Sequence, residues 1–186
     1  MKKTKPHTTK PTTTHERPAP PYARVPVVGV DPGARTTAVV LVGVERPRFV
    51  LVENRGGLLL PPVEYVCEVV GTVRELCPSG AVVAVEGVNR PSWHVATRAK
   101  RGAASNPVGL LGTCCVVGGL MVAFPDLVVV PPGRNGSSPL GCYPSWLVSE
   151  GERRREGWEL KIGTGRFRHG RSAFDIAVRG AGLSSV

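Results

Sequence analysis

The chain has 186 residues, which suits a single domain with a substantial core, because domains commonly take ~100–200 residues. Its 24 Lys and Arg against 14 Asp and Glu give a formal charge of +10, which favours a polyanionic partner, most often nucleic acid and less often an anionic membrane surface. No apolar run reaches the ~18–20 residues of a membrane span, and no secretory signal follows the basic start, so we expect a soluble cytoplasmic protein.

The first 24 residues have the composition of a disordered basic arm. They contain six Lys or Arg against one Glu, many Thr and Pro, and almost no large apolar side chains. Such a segment cannot bury enough apolar surface to fold. The composition suits either non-specific contacts with DNA phosphates or a solubilising tail, and residues 25–186 are then the folded domain.

Three apolar runs bounded by Pro and Gly follow the arm and predict strands over about Val25–Asp31, Thr36–Val44 and Arg48–Glu53. The links between these runs are short, which favours consecutive antiparallel hairpins. The next segment, Val63–Leu76, has apolar residues at spacings of three and four, and two prolines precede it. This pattern predicts a helix with one buried face.

The second half alternates further strands and helices with polar loops. The predicted elements are a nearly all-apolar strand at Ala81–Gly87, a helix at about Pro107–Ala123, a short strand at Asp126–Val130 and a helix at Arg171–Val178. Residues 89–105 and 134–168 are basic or glycine-rich and lack a strong period, which indicates loops. The order predicts an α/β fold with a mixed five-stranded sheet, three antiparallel hairpin strands plus two parallel strands, flanked by helices.

The five cysteines do not have the spacing of a metal site or a disulfide framework. The count is odd and no Cys-x-x-Cys occurs among Cys67, Cys77, Cys114, Cys115 and Cys142. We interpret them as buried free thiols.

Two carboxylates end predicted strands, and a third lies on the last predicted helix. Asp31 alone would also suit a residue that caps a Pro-Gly turn. If the first and fourth strands are neighbours, however, Asp31 and Glu86 emerge side by side, and a helix across that edge brings Asp175 to them. Converging carboxylates suit Mg²⁺ or Mn²⁺, and two such ions ~3.5–4 Å apart can activate water and stabilise the leaving oxygen in phosphodiester hydrolysis.

The segments that carry these carboxylates are Gly29–Gly33, Val85–Glu86 and His169–Ala177. In order and spacing they resemble the three acidic motifs of RuvC-type Holliday junction resolvases, members of the ribonuclease H-like superfamily, in a version similar to those of bacteriophages. The resemblance covers about residues 25–180. It implies a ribonuclease H-like fold and paired, Mg²⁺-dependent nicking of four-way DNA junctions by a homodimer, in the host cytoplasm if the protein is phage-encoded.

Carried over residue by residue, the resemblance makes Asp31, Glu86 and Asp175 the catalytic metal ligands. The family usually has another Asp or His three residues before the last aspartate, and this chain has Ser172 there. We expect His169, just upstream of the helix, to face the metal cluster and take part in catalysis. Ser172 acting through a water, or no fourth ligand at all, are the alternatives.

Basic residues near these motifs are the candidates for DNA contact. They are Arg90, Arg98, Lys100 and Arg101 in the loop after the second motif, and Lys161, Arg166, Arg168 and Arg171 around the last helix. Lys161 begins a Lys-Ile-Gly-Thr-Gly turn whose backbone amides suit a phosphate. Trp93 and His94 would either stack on exposed bases or be ordinary loop residues. The run Arg153–Arg155, flanked by Glu152 and Glu156, is interpreted as a solvated surface, with DNA contact as the alternative.

Three other functions compete with a junction resolvase. A nuclease of the same superfamily could act instead on RNA–DNA hybrids or flaps. A phosphate-binding ATPase of the actin and sugar-kinase superfold also begins with a Gly-x-Asp-x-Gly turn, but it needs a second similar domain, for which 186 residues leave no room. A non-catalytic DNA-binding protein that keeps the fold is the third, and Ser172 is the feature that favours it.

Overall fold

The structure is a computed structural model, and it describes residues 25–56, 63–88 and 107–183. The predicted basic arm and the predicted basic loop at 89–105 lie outside the described residues. The strands are β1 (Val27–Asp31), β2 (Thr36–Val42), β3 (Arg48–Glu53), β4 (Val82–Glu86) and β5 (Val128–Val130). The helices are α1 (Val63–Leu76), α2 (Pro107–Ala123), α3 (Glu150–Arg153) and α4 (Arg166–Leu183), with three short 3₁₀ helices at Leu140–Cys142, Ser145–Leu147 and Trp158–Leu160.

The five strands form one sheet in the order β3-β2-β1-β4-β5. Strand β1 pairs antiparallel with β2, which pairs antiparallel with β3, whereas β1 pairs parallel with β4 and β4 pairs parallel with β5. Strand β1 is the central strand of this order, and its first four residues are accordingly buried. The predicted α/β fold, a mixed five-stranded sheet flanked by helices, is therefore confirmed, and it is the arrangement expected for a ribonuclease H-like fold.

Helix α4 lies directly on one face of this sheet. A Cβ added to Gly29 of β1 would come within 2.1 Å of the Ala173 carbonyl oxygen, and one added to Gly180 would come within 2.3 Å of the Ala84 Cβ. These two glycines therefore let the α4 backbone approach β1 and β4 closely. The contact fixes the start of α4 near the carboxyl end of β1, which is where Asp31 lies.

The opposite face of the sheet is covered by α1 and α2. Buried aliphatic residues of β1, β2 and β4 pack there against both helices, with Val69 and Val73 of α1 and Leu120 of α2 fully inaccessible. The sheet thus separates two apolar clusters, one under α4 and one under α1 and α2. Within the described residues, no helix is long and apolar enough to cross a membrane.

Several sequence predictions of local structure were wrong in detail. Helix α4 begins at Arg166, five residues before the predicted start, because its first turn is mostly polar and its one large apolar residue, Phe167, gives no period. The segment predicted as an irregular loop contains the short α-helix α3 and the three 3₁₀ helices. The cysteines are free but not buried, since Cys67, Cys114, Cys115 and Cys142 are exposed and Cys77 is partly so.

Helix α2 is apolar on every side, so its sequence does not indicate which face is covered.

Candidate active site

Two carboxylates meet at one edge of the sheet because β1 and β4 are parallel neighbours. Val30 pairs with Val85, so the residues that follow them, Asp31 and Glu86, emerge from adjacent strands at the same end. Both line a cavity of about 240 Å³, and the other lining residues are Gly133, Asn135, Arg168, His169 and Ser172. The juxtaposition predicted from the sequence for Asp31 and Glu86 is therefore present.

Asp31 is held by the first turn of α4. The Nδ1 atom of His169 lies 3.0 Å from Asp31 Oδ2, and only 14% of the Asp31 side chain is exposed, against 50% for His169. The hydrogen bond to Asp31 raises the pKa of His169, and burial opposes this in part. His169 was predicted to lie just upstream of the helix, and it lies within it, facing Asp31.

Glu86 is held by the loop that follows β5. The Gly133 amide donates to Glu86 Oε1 at 3.2 Å, and the Asn135 side-chain amide donates to the same oxygen at 2.7 Å. Arg179 in turn donates to the Asn135 side-chain oxygen at 3.0 Å, which orients the amide. Burial raises the pKa of Glu86, and the neighbouring charge of Asp31 raises it further. The two carboxylates are therefore close enough for the charge of one to disfavour ionisation of the other.

Asp175 is engaged elsewhere. Its Oδ2 atom accepts a hydrogen bond from the Gly136 amide at 2.8 Å and another from the Tyr143 hydroxyl at 2.8 Å. Burial raises the pKa of Asp175, although both donors oppose the shift. Burial, together with the charge of Asp175, raises the pKa of Tyr143 to about 12, so the tyrosine remains a donor. Asp175 does not line the cavity that Asp31 and Glu86 share.

The acidic cavity offers carboxylate oxygens as ligands for a divalent cation. Carboxylate oxygens are the ligands that Mg²⁺ and Mn²⁺ prefer, and a cation beside Asp31 and Glu86 would remove their mutual repulsion. The donor chemistry at this cavity therefore fits such an ion. The set is incomplete, because within the part of the chain that the structure describes no three His, Cys, Asp or Glu side chains are grouped to hold a metal.

The residues predicted to contact DNA lie in different environments, and some of them lie outside the described part of the chain. Arg90, Arg98, Lys100 and Arg101, like Trp93 and His94, lie outside the described residues. Lys161 is exposed, Arg166 is exposed and forms an ion pair with Glu53 at 2.8 Å, and Arg168 lines the acidic cavity. These three positions remain compatible with DNA contact.

Arg171 was predicted to contact DNA, and this prediction is wrong because its side chain is completely buried. Its guanidinium forms an ion pair with Glu152 at 3.2 Å and donates to the Leu147 carbonyl oxygen at 3.0 Å. Burial alone would raise the pKa of Glu152, but hydrogen bonds from Ser149 and the charge of Arg171 lower it overall. The pair ties α3 to α4, while Arg153–Arg155 beside it are exposed as expected.

The loop after β5 supplies the site residues that the sequence interpretation missed. Gly133, Asn135 and Gly136 donate to two of the three carboxylates. A Cβ at Gly136 would lie 2.7 Å from the Arg168 carbonyl oxygen, and its φ of +70° also favours glycine. A signal for this loop was present, because β5 is a short apolar strand parallel to β4, and polar residues that follow it emerge at the same edge.

The chain is similar to solved structures, but it matches no sequence family. No family model matches the chain, and no curated protein matches it. Two of the similar solved structures are RuvC from Thermus thermophilus, one of them in complex with a Holliday junction substrate. The complex has 16% identity and a TM-score of 0.46, and the other structure has 18% identity and a TM-score of 0.44. Both matches cover 87% of this chain and 96% of the RuvC chain, and these similarities are too low to assign an activity.

Proposed function

We propose that this protein is a metal-dependent endonuclease that nicks branched DNA, with four-way junctions as its substrate. The observation that carries the proposal is the placement of Asp31 and Glu86 at the ends of adjacent parallel strands, in one cavity with His169, in a chain of charge +10. Acidic residues concentrated at one point of a basic protein suit a site that holds cations against a phosphate backbone. The resemblance of the three acidic motifs to RuvC-type resolvases supports the same function.

Each residue of the site has a role in this proposal. Asp31 and Glu86 would hold Mg²⁺ or Mn²⁺. Asp175 is proposed as a third ligand from its motif, and its carboxylate would have to turn from Gly136 and Tyr143 toward the acidic cavity. Such ions supply an activated water and stabilise the leaving oxygen of a phosphodiester. His169 orients the Asp31 carboxylate through its Nδ1 atom, and Asn135 orients Glu86 through its amide. Preorganised ligands of this kind lower the cost of assembling the reactive geometry.

The basic residues around the cavity would bind the DNA backbone. Arg168 lies at the cavity itself, and Lys161 and Arg166 are exposed on the segment that leads into α4. The loop arginines and lysine after β4 and the basic arm lie outside the described residues, and we expect them to contact DNA as well. Phosphate contacts of this type give binding that weakens steeply as salt concentration rises.

Paired nicking needs two active sites, and we propose that a second copy of the chain supplies the other. Helix α2 has a stripe of exposed small and apolar residues at spacings of three and four, which would be buried between two copies. Its members are Val108, Leu111, Cys115, Gly118 and Val122, of which Val122 is 84% exposed. A self-complementary contact of this kind is typical of homodimers with twofold symmetry.

The similarity of the acidic motifs to those of bacteriophage enzymes stays a prediction.

A second candidate function is non-catalytic binding of branched nucleic acid, or binding with a different specificity. The engagement of Asp175 by Gly136 and Tyr143 favours it, because this carboxylate lies outside the acidic cavity. A protein that kept the fold but lost its third ligand would bind DNA through the same basic surface and would not cut it.

The experiment that separates these functions offers the protein a mobile four-way junction, a linear duplex and an RNA–DNA hybrid, each with Mg²⁺, with Mn²⁺ and with EDTA. The proposal predicts junction-selective, metal-dependent nicks, placed symmetrically in two opposite strands. Metal-dependent cutting of only the hybrid would indicate a different nuclease. Tight junction binding without nicks in either metal would establish the non-catalytic alternative.

A further inference from the structure

We propose that a second cavity beside the acidic one binds a single unstacked nucleotide that flanks the scissile phosphate, with its base inside the cavity. The inference rests on the proposed function and adds a substrate subsite to it. The cavity has a volume of about 630 Å³, within the ~300–1,000 Å³ range typical of sites for small ligands. The residues that line it are Thr36, Leu51, Glu53, Ser137, Ile162, Gly163, Thr164, Gly165, Arg166, Arg168 and His169.

The two cavities lie side by side at the same end of the sheet. Arg168 and His169 line both of them, so these two residues of α4 form the partition. The acidic cavity lies where β1 and β4 end, and the second cavity lies where β2 begins and β3 ends, since Thr36 pairs with Glu53 there. A DNA strand that crosses this edge with one phosphate at Asp31 would bring its neighbouring nucleotide toward the second cavity.

The walls of the second cavity suit a nucleobase better than a phosphate alone. Among the lining residues, Leu51 and Ile162 are apolar, which suits the faces of a base. Thr36, Ser137 and Thr164 are hydroxyl-bearing, which suits its polar edge. Glu53 and Arg166 lie together at the cavity as an exposed ion pair. A carboxylate accepts from the amino group of cytosine, and a guanidinium donates to guanine, so this pair is suited to distinguish bases.

Arg168 is the cation placed to bind the phosphate between the two cavities. Within the described residues it forms no ion pair, whereas Arg166 and Arg171 each have a carboxylate partner. A base can enter a concave cavity of this size only after it leaves the helical stack, and that cost is smallest where pairing is already disturbed. The subsite would therefore favour the crossover of a junction over an intact duplex.

To test this subsite, the position at which the wild-type protein cuts the junction is mapped first. Two labelled junctions are then made, each with 2-aminopurine, whose fluorescence increases on unstacking, at the nucleotide on one side of that position. Metal-free protein in EDTA is titrated with each labelled junction. We expect fluorescence to rise at one of the two positions. Thr164→Phe, or Ile162→Phe if the first variant does not fold, should abolish the rise by filling the cavity. Leu160→Phe is the matched control, because Leu160 is 85% exposed on the same segment and does not line the cavity.

A second pair of variants tests the phosphate contact. Arg168→Gln should weaken junction binding about tenfold, the effect of losing one charge-assisted hydrogen bond. Arg48→Gln, which removes an exposed arginine at the start of β3 that is paired with Glu75, should leave binding within about twofold. Fluorescence that rises at neither position, or equally with the Thr164→Phe and Leu160→Phe variants, overturns the subsite while junction nicking stands. Absence of any junction binding by the wild type overturns both the subsite and the proposed function.

Discussion

Replacing Asp175 with Asn should abolish nicking and at the same time stabilise the fold. The Asn side-chain oxygen still accepts from the Gly136 amide and the Tyr143 hydroxyl, so both hydrogen bonds persist. The substitution removes a charge that burial disfavours, as the raised pKa of Asp175 indicates. A single stabilising substitution commonly contributes about 0.5–2 kcal/mol, and at about 2–4 °C per kcal/mol the expected rise in Tm is about 1–8 °C.

The pH dependence of this gain has a definite sign. A carboxyl group whose pKa is raised in the folded state binds its proton more tightly there, so its ionisation destabilises the fold as pH rises through that pKa. The stabilisation by Asp175→Asn should therefore be complete at pH 7 and should shrink as pH falls toward ~3.9, the ordinary Asp value. Thermal denaturation of wild type and variant from pH 4 to pH 8 measures it.

The matched control is Asp175→Ala, which removes the acceptor as well as the charge. The Gly136 amide and the Tyr143 hydroxyl are then left without Asp175, at a cost of about 1–3 kcal/mol for each buried group that stays unpaired. Both variants should bind the junction with at least wild-type affinity. An Asp175→Asn protein that nicks at the wild-type rate would exclude Asp175 as a ligand, and one that is less stable at pH 7 would show that the donors outweigh burial.

Three further predictions concern other parts of the chain. Deletion of residues 2–24 should leave Tm nearly unchanged, weaken binding to all DNA sequences alike and reduce its salt dependence; a large loss of Tm would show that the arm packs on the core. Glu152→Gln should lower the free energy of unfolding by about 3–5 kcal/mol at pH 7, as measured by urea denaturation, because it leaves Arg171 buried without a counter-charge. This loss should shrink below pH ~4.3, since the wild-type carboxylate is then protonated as well. His169→Ala should need more Mg²⁺ for nicking, and Ser172→Asp should relieve that need; an unchanged Mg²⁺ requirement would remove His169 from the site.

The activity of the wild type should also fall at low pH. The hydrogen bond with Asp31 raises the pKa of His169, so the imidazole gains a proton at a pH above ~6.5, the ordinary value. A protonated ring holds the Asp31 carboxylate more strongly and competes with a cation for it. At a Mg²⁺ concentration below saturation, the acid-side decline of the pH–rate profile should move to lower pH in His169→Ala. A profile identical to wild type would contradict this role.

The sheet and the placement of two carboxylates could be predicted because their signals are local. Runs of Val bounded by Pro and Gly define β1 and β4, and the absence of polar residues in them requires a central, two-sided position. Once these strands are neighbours, Asp31 and Glu86 must emerge together. The close approach of α4 depends on Gly29, whose role becomes evident only when its contact with Ala173 is known.

What the sequence did not predict depends on partners that are distant in the chain. Arg171 follows His169 and Gly170 and resembles a surface cation. Its contacts with Glu152 and the Leu147 carbonyl oxygen explain why it is buried. Asp175 matches a ligand by motif, but its hydrogen bonds come from residues 39 and 32 positions away. No periodicity encodes such contacts, so neither the burial of Arg171 nor the engagement of Asp175 could be read from spacing.

The most direct test of the proposed site is the nicking of a four-way junction by wild type, Asp31→Asn and Glu86→Gln. The comparison is Glu150→Gln, which changes an exposed carboxylate that does not line the cavity. Each reaction is run with Mg²⁺, and junction binding is measured beside it in EDTA. We predict that wild type and Glu150→Gln nick the junction at similar rates. Asp31→Asn and Glu86→Gln should bind it at least as tightly and not nick it. Nicking by either variant at the wild-type rate would contradict the proposed site.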